Sequence, residues 1–408
     1  MSQPLKIIRT KAVRLLVLPL SLITIFLQRV LSPIILLRIS HFDCERIGNL
    51  YIYYWTEAQK NTSKQKNTLD IFFTSINVSN HFWVSLFKKK FHLFDYNELF
   101  AQIYYLNQKL SDSKKYFYSY LTHKSLLDKN HPEYIQNIIK QKHSYFNISD
   151  IDINKGKQLL ELLGVKNKSE FICFHNRDSA YLNKTYPNEK WGYHDYRDSS
   201  ISNYLLAADY LTKSGYFAIR TGSIVKELIH SNNEMIIDYP ATKMQSEFLD
   251  VVLGSQCKLF ICSDTGMSII PELFDVPIVY VNWTPLARIS NWVKRGIFIP
   301  KKFYSRKLSR DLTFKEILAS PEISFKASPE NFNEAEITLI ENTPEEILMA
   351  VKEMIERING RWKDSQEMQQ LQTEYWSLPG NITNKSPDYT ISSSYLMNNK
   401  HLLRIQND

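Results

Sequence analysis

Four polar residues, His175, Asn176, Arg177 and Asp178, follow directly on the apolar run Phe171–Phe174. A guanidinium offers paired N–H donors that match a phosphate or carboxylate, an imidazole titrates near neutrality, and a carboxylate can accept a proton. A strand that ends in all three is equipped to hold an anion or to move a proton. Two further clusters end apolar runs in the same way: Arg220-Thr221-Gly222-Ser223 after "YFAI", and Ser263-Asp264-Thr265-Gly266-Met267-Ser268 after "LFIC". The last of these places hydroxyls and a glycine where a helix would start, and free N–H groups with the helix dipole attract an anion there. Arg177, Arg220 and the Thr265-Gly266 turn together describe a diphosphate site.

Each of these residues also has a plainer role. Arg177 can pair with Asp178 or with another loop, His175 can simply hydrogen-bond at a strand end, and Arg220 can cap a helix. Ser263, Asp264 or Thr265 can serve only as an N-cap. Tyr196, Arg197 and Asp198 precede a helix that Ser199 or Ser200 can cap, so Arg197 either belongs to the start of that helix or meets a ligand. Asp238, after "MII", either bonds a ribose hydroxyl or shapes a turn. His41, Asp43 and Glu45 join Asp178 as candidate general bases.

The elements that position these residues follow from the spacing of apolar runs and of only eleven glycines. Gly48, Gly222 and Gly266 each lie between an apolar run and a helix-compatible segment, which is the βα unit of a doubly wound sheet. Gly164, Gly215 and Gly254 sit where helix C-caps belong. The pattern predicts strands over 34–40, 69–75, 171–174, 216–220, 235–237, 258–262 and 278–282. It predicts helices near 47–60, 97–110, 133–142, 201–213, 244–253 and 267–274, and a helix over 343–358 with a Thr343/Glu346 capping box. The polar stretch "NISDIDINKGK" reads as a linker, which divides the chain into 33–155 and 156–375, with a polar tail over 376–408 that packs back or frays.

The net charge of +8 is concentrated at the start of the chain. Residues 1–42 hold six basic residues and no acidic one, leaving 44 basic against 42 acidic residues in the nearly neutral remainder. No basic stripe interleaved with aromatics runs along the body, which argues against a nucleic-acid binder. Leu15–Leu27 carries no charge, but thirteen residues fall short of the ~20 that span a bilayer. Residues 1–32 therefore read as an amphipathic helix on a membrane surface, with its Lys and Arg near anionic lipid. The competing readings are a core helix and a signal peptide, and no small-x-small cleavage site follows. Cys44, Cys173, Cys257 and Cys262 lack C-x-x-C or metal spacing and read as reduced thiols of a cytosolic, membrane-associated protein. The only D-x-D, "DID" at 150–152, falls in the presumed linker rather than between a strand and a loop.

The stretches "FHNRD", "YRDSSISNYLLAADYL", "YFAIRTG", "IIDY", "QSEFLDVVLGSQCKLFICSDTG" and "PELFDVPIVYVNW" resemble a group of bacterial glycosyltransferases from surface-polysaccharide loci. "ISHFDCERIGNL" and "NTPEEILMAVKEM" extend that likeness over most of the chain. The H-x-R of His175-Asn176-Arg177 is more distantly similar to the first motif of the GT-B fucosyltransferases, although Asp178 stands where that motif has a second basic residue. The resemblance implies an α/β, GT-B-like fold of two Rossmann-like doubly wound domains facing across a cleft. It implies a metal-independent glycosyltransferase with no cofactor beyond its nucleotide-sugar donor, which the fucosyltransferase likeness makes GDP-linked, and a glycan or lipid-linked acceptor at the cytoplasmic membrane. Catalytic roles would fall to Arg177, His175 and Asp178, and donor contacts to Arg197, Arg220, Gly222, Asp238, Ser263, Asp264, Thr265 and Gly266. A non-catalytic sugar-nucleotide or glycan-binding component, and a UDP-sugar epimerase or hydrolase of the same architecture, are the alternatives.

Overall fold

Apolar runs and the turns behind them become parallel strands in two units, residues 1–134 and 135–408. The computed structural model describes residues 3–51, 67–112, 115–117, 146–290, 293–382 and 385–404. In the first unit, β1 (Leu36–Phe42), β2 (Thr68–Thr74) and β3 (His92–Phe94) form a parallel sheet in that order. Arg38 lies opposite Asp70 in the ladder and grips its carboxylate at 2.6 and 3.0 Å. Ile39, Phe73, Ile103 and Tyr104 make the core beside the helix Glu98–Asn107. Among the described residues this unit has no reversal of strand order, the feature that would make it doubly wound. Of the helix predicted over 47–60, the turn Ile47–Tyr51 is described; its remainder and the helix predicted over 133–142 lie outside the described residues.

The N-terminal helix, α1 (Gln3–Leu31), differs from the sequence expectation in which way its polar residues face. Ser21, Ile25 and Gln28 form its buried stripe. Gln28 donates to the Leu37 carbonyl at 3.1 Å and accepts from Asn107 at 2.9 Å. Arg29 reaches Asn107 at 3.0 Å and Asp112 at 2.8 Å. The outward face is apolar instead, with Leu16 80%, Phe26 64% and Ile23 54% exposed. The helix is thus amphipathic, but its polar side is spent on its own domain. By length and composition alone, Ala12–Leu31 is sufficient to cross a membrane.

The second unit is built on a seven-stranded, wholly parallel sheet. Its strands are β4 (Phe171–His175), β5 (Phe217–Arg220), β6 (Ile236–Asp238), β7 (Phe260–Cys262), β8 (Ile278–Trp283), β9 (Gly296–Pro300) and β13 (Tyr389–Ile391), the last named for its place after β10, β11 and β12 below. Their spatial order is β6-β5-β4-β7-β8-β9-β13. Counted within the sheet this is 3-2-1-4-5-6-7, a doubly wound order whose reversal lies between β4 and β7. β8 and β9 are buried along their whole length, as strands covered on both faces must be. A small antiparallel sheet of β10 (Lys302–Ser305), β11 (Arg310–Asp311) and β12 (Ile337–Ile340), not foreseen from the sequence, follows β9.

Two boundary readings are corrected. "DID" is the first turn of a helix, Asp150–Leu162, with Ser149 capping the Asp152 amide, and not a linker. Gly254 does not end a helix but lies inside one, Glu247–Gln256. A Cβ there would come within 2.8 Å of Ile270 Cγ2, so the glycine serves close packing. Gly164 and Gly215 do end helices, with φ of +106° and +92°. The capping box of Thr343 and Glu346 starts the helix Pro344–Ile358 as predicted. The tail packs back: the buried Glu353 carboxylate accepts from Ser392 Oγ and from the amides of Ser393 and Ser394 at 2.7, 3.1 and 2.9 Å, next to β13.

Candidate functional site

From β4 the chain runs on to β5 on one side of the strand order and from β7 to β8 on the other, and in such sheets ligands bind outside the carboxyl ends of the strands at this reversal. Two clusters singled out in the sequence meet there. The Arg177 amide donates to Ser263 Oγ at 2.9 Å, which ties the loop after β4 to the loop after β7. The Arg177 side chain is 7% exposed and forms an ion pair with Asp198. The pair is made by Nη1 and Asp198 Oδ1, and the buried Nη2 has no hydrogen-bond partner. Burial lowers the Arg177 pKa to about 10, with Arg197 adding to the effect and Asp195 and Asp264 opposing it. Arg177 is therefore a cation at neutral pH.

The segment Tyr196–Asp198 crosses this edge as a bar. Arg197 Nη1 donates to Asp264 Oδ2 at 3.0 Å, and the next residue is the Asp198 paired with Arg177. Burial works to lower the Arg197 pKa, but Asp264 and Tyr196 outweigh it and the net shift is upward. The segment is the end of a 3-10 turn, Gly192–Arg197, rather than part of a longer helix. Asp264 and Thr265 are half-buried and Gly266 is exposed. The helix predicted over 267–274 is a 3-10 turn, Gly266–Ser268, followed by the short helix Ile269–Leu273. What this loop offers an anion is therefore local N–H groups and hydroxyls more than a long helix dipole.

His175 ends β4, and its Nδ1 lies 2.9 Å from the Thr221 carbonyl. A carbonyl only accepts, so Nδ1 carries the proton and Nε2 the lone pair. Burial lowers this imidazole's pKa, Arg220 adds to that, and the Thr221 bond and Asp178 oppose it. Gly222 keeps room beside the ring: it has a φ of +133°, and a Cβ would meet His175 Cε1 at 3.4 Å. Asp178 bridges two loops, accepting from the amides of Ala180 at 2.9 Å and Lys226 at 3.0 Å.

Arg220 and Asp238 lie deeper than their sequence positions suggest. Arg220 is fully buried; it donates to the Glu227 carbonyl at 2.6 Å and to Asn176 Oδ1 at 3.3 Å, and faces Asp238 at 3.5 Å. Asp238 also accepts from the Ile229 amide at 2.8 Å. Asn176 in turn donates to the Ser199 carbonyl at 2.7 Å. These three form a buried network beneath the β4 and β5 ends that shapes the loops above it.

Two contributors were missed in the sequence. Lys301, directly after β9, donates to the carbonyls of Tyr196 and Asp198 at 3.1 and 2.6 Å. Asn282, at the end of β8 with a φ of +55°, exchanges two hydrogen bonds with Asn342, of 2.6 and 2.7 Å. The apolar run "GIFIP" marks a strand ahead of Lys301, but nothing local marks the lysine itself. In the first unit, His41 Nε2 lies 3.0 Å from Ser75 Oγ, and burial lowers its pKa against the pull of Asp43. Asp43 accepts from Asn49 Nδ2 at 2.8 Å and from the Glu45 amide at 3.3 Å, and Glu45 is exposed. Among the described residues no group of His, Cys, Asp and Glu is arranged to hold a metal ion.

No protein-family model and no curated protein matches the sequence. Solved structures similar to this one include a glycosyl transferase family 9 protein from Veillonella parvula DSM 2008, with a TM-score of 0.42 and 11% identity over 72% of this chain and 94% of that one. Another is ADP-heptose lps heptosyltransferase II of E. coli, also with a TM-score of 0.42 and 11% identity, over 79% of this chain and all of that one. Identity this low says nothing about donor or acceptor.

Proposed function

We propose that the chain is a GT-B-type glycosyltransferase that binds a nucleotide-sugar through the second unit and transfers the sugar to a membrane-borne glycan or lipid-linked acceptor. The observation that carries this reading is Arg177: a buried guanidinium at the strand-order reversal of a doubly wound sheet, paired with Asp198 through Nη1 and with Nη2 left without a hydrogen-bond partner. Arg177, Arg197 and the amides around Thr265-Gly266 would take up the charge that grows on the leaving nucleoside diphosphate, so no metal is needed for that step. Asp238, Arg220 and Gly222 would shape the loops rather than touch the donor. Asp178 would hold the two loops it bridges, and His175, with Nε2 free to accept, is the base candidate in this unit whose lone pair is fixed by geometry. His41, Asp43 and Glu45 are the base candidates of the first unit. α1 would lie against the cytoplasmic membrane with its apolar face down and the basic head near anionic lipid. The four buried free thiols suit a reducing compartment.

A thermal-shift panel of GDP-, UDP-, dTDP- and CMP-sugars, with and without EDTA, tests the donor claim. Stabilisation by one of them, unchanged in EDTA, is the expected result. No stabilisation would remove the donor site, and loss in EDTA would remove the metal-free mechanism. Release of nucleoside diphosphate only when an acceptor is added separates a transferase from a hydrolase or epimerase.

A further inference from the structure

A lysine that is 5% exposed needs a reason, because burying an ammonium without a counter-ion is costly. Lys301 has no carboxylate within ion-pair distance among the described residues; its partners are two main-chain carbonyls, Tyr196 at 3.1 Å and Asp198 at 2.6 Å. Its own amide donates to the Trp283 carbonyl at 3.2 Å, which fixes it to the end of β8 as well. The segment it grips carries one of the site's arginines, Arg197, and the carboxylate that restrains the other, Asp198. Asp198 pairs with Arg177 from the end of β4, and Arg197 pairs with Asp264 from the end of β7. No strand ladder holds that segment. Besides the Arg177 and Asp264 pairs, it is held by the Tyr196 ring against Phe332 at 5.8 Å, by the Ser199 amide on the Arg177 carbonyl at 3.1 Å, by Asn176 on the Ser199 carbonyl at 2.7 Å, and by Glu341, which accepts from the Ser200 amide at 2.9 Å. Lys301 is thus the tie from the β9 side, and it acts on the two carbonyls that bracket Arg197.

We propose that Lys301 is a positioning residue of the donor site: its ammonium clamps Tyr196–Asp198 so that Arg197 and Arg177 are held at the spacing that receives a nucleoside diphosphate. The proposal rests on the reading that such a ligand binds at Arg177. The lysine suits the task chemically, since one ammonium supplies a donor to each carbonyl from a single arm and adds a full positive charge to the segment. Its protonation then matters. Burial lowers its pKa to about 8; Glu341 opposes the shift and Arg177 adds to it. The other groups around it are Asp198, Arg197 and Tyr196, and burial raises the Tyr196 phenol away from this range. Above its pKa the amine keeps two N–H groups but loses its charge, and the clamp weakens as pH rises.

The test uses the full-length protein and whichever of the nucleoside diphosphates GDP, UDP or dTDP binds the wild type, titrated from pH 7 to pH 9 with wild type, Lys301→Met and Lys301→Arg. Amide hydrogen exchange of residues 196–199 is followed in the same samples. Lys301→Met should weaken nucleotide binding about tenfold and speed exchange in that segment, and Lys301→Arg should restore both to within about threefold. Wild-type affinity should fall as pH rises through 8, whereas Lys301→Arg should stay flat. Lys301→Met that binds as the wild type does, with the same pH profile and the same exchange, overturns the proposal. If Lys301→Met does not fold, Lys301→Arg decides: a profile that still falls through pH 8 overturns the clamp. If no nucleotide binds the wild type, the donor reading fails instead, and with it the ligand part of the claim. Exchange at 196–199 then decides separately whether Lys301 holds the segment.

Discussion

Replacing Arg220 by Met separates a structural role from a ligand role for a residue whose sequence position suits either. Its guanidinium is fully buried and committed to Glu227, Asn176 and Asp238. Methionine roughly keeps the volume but leaves the Asp238 carboxylate, 8% exposed, with the Ile229 amide as its remaining partner. Removing one member of a buried ion pair costs roughly 3–5 kcal/mol. At ~2–4 °C per kcal/mol for a domain of this size, the melting temperature should fall on the order of 10 °C. Adding Asp238→Asn removes the stranded charge and should return about 1–3 kcal/mol, which makes the two changes strongly non-additive. Urea and thermal denaturation of the four proteins of this cycle give the coupling, and nucleotide affinity is measured on every variant that stays folded. The expected pattern is a large stability loss in Arg220→Met, partial recovery in the double variant, and affinity within about threefold of wild type. An Arg220→Met protein of normal stability that has lost nucleotide binding would refute the reasoning and put the guanidinium in the ligand site.

Gly254→Ala forces a Cβ to within 2.8 Å of Ile270 Cγ2 and 3.1 Å of Ile270 Cβ, and should cost about 1–3 kcal/mol in urea denaturation, whereas Ser255→Ala next to it should cost less. Asp250 is pushed up to about 6, first by burial, with the Tyr239 hydrogen bond opposing and Glu247 adding. The folded state therefore holds this proton more tightly than the unfolded chain, and stability is lost as pH rises from about 4 to 6. Asp250→Asn should have little effect at pH 4 and stabilise by at most roughly 3 kcal/mol above pH 6, and an equal effect at both pH values would contradict the assignment. Charging the outward face of α1 with Leu16→Glu and Ile23→Glu removes apolar area worth roughly 1.5–3 kcal/mol per side chain, so flotation with anionic vesicles should drop more than about tenfold. Unchanged flotation would show that this face does not meet lipid.

The βα rhythm of the second unit was legible because its strands are short, apolar throughout and end in polar turns, so β4, β5, β7 and β8 fall within two or three residues of the pattern. The meeting of the Arg177 and Ser263 loops was legible for the same reason, since both follow strands that the sheet places side by side. Burial depth was not: Arg177 and Arg220 end adjacent strands in similar language, yet Arg177 pairs with the half-buried Asp198 and leaves Nη2 unpartnered, whereas Arg220 is fully buried and spends both Nη groups on Glu227, Asp238 and Asn176. Long-range partners such as Lys301 with Tyr196, or Asn282 with Asn342, have no local signature because the contact is made by topology alone. α1 misled in a different way. Gln28 and Arg29, just past the uncharged run Leu15–Leu27, lie on the face that binds the domain.

The central claim is that a nucleoside diphosphate is held by the Arg177 guanidinium at the β4–β7 reversal. Calorimetric titration of the stabilising nucleotide, in EDTA, into wild type and Arg177→Lys tests it most directly. Lysine keeps the charge but loses the paired donors, so affinity should fall about ten- to a hundredfold with the fold intact by thermal melting. Equal affinity in the two proteins, or no binding to wild type, would contradict the account.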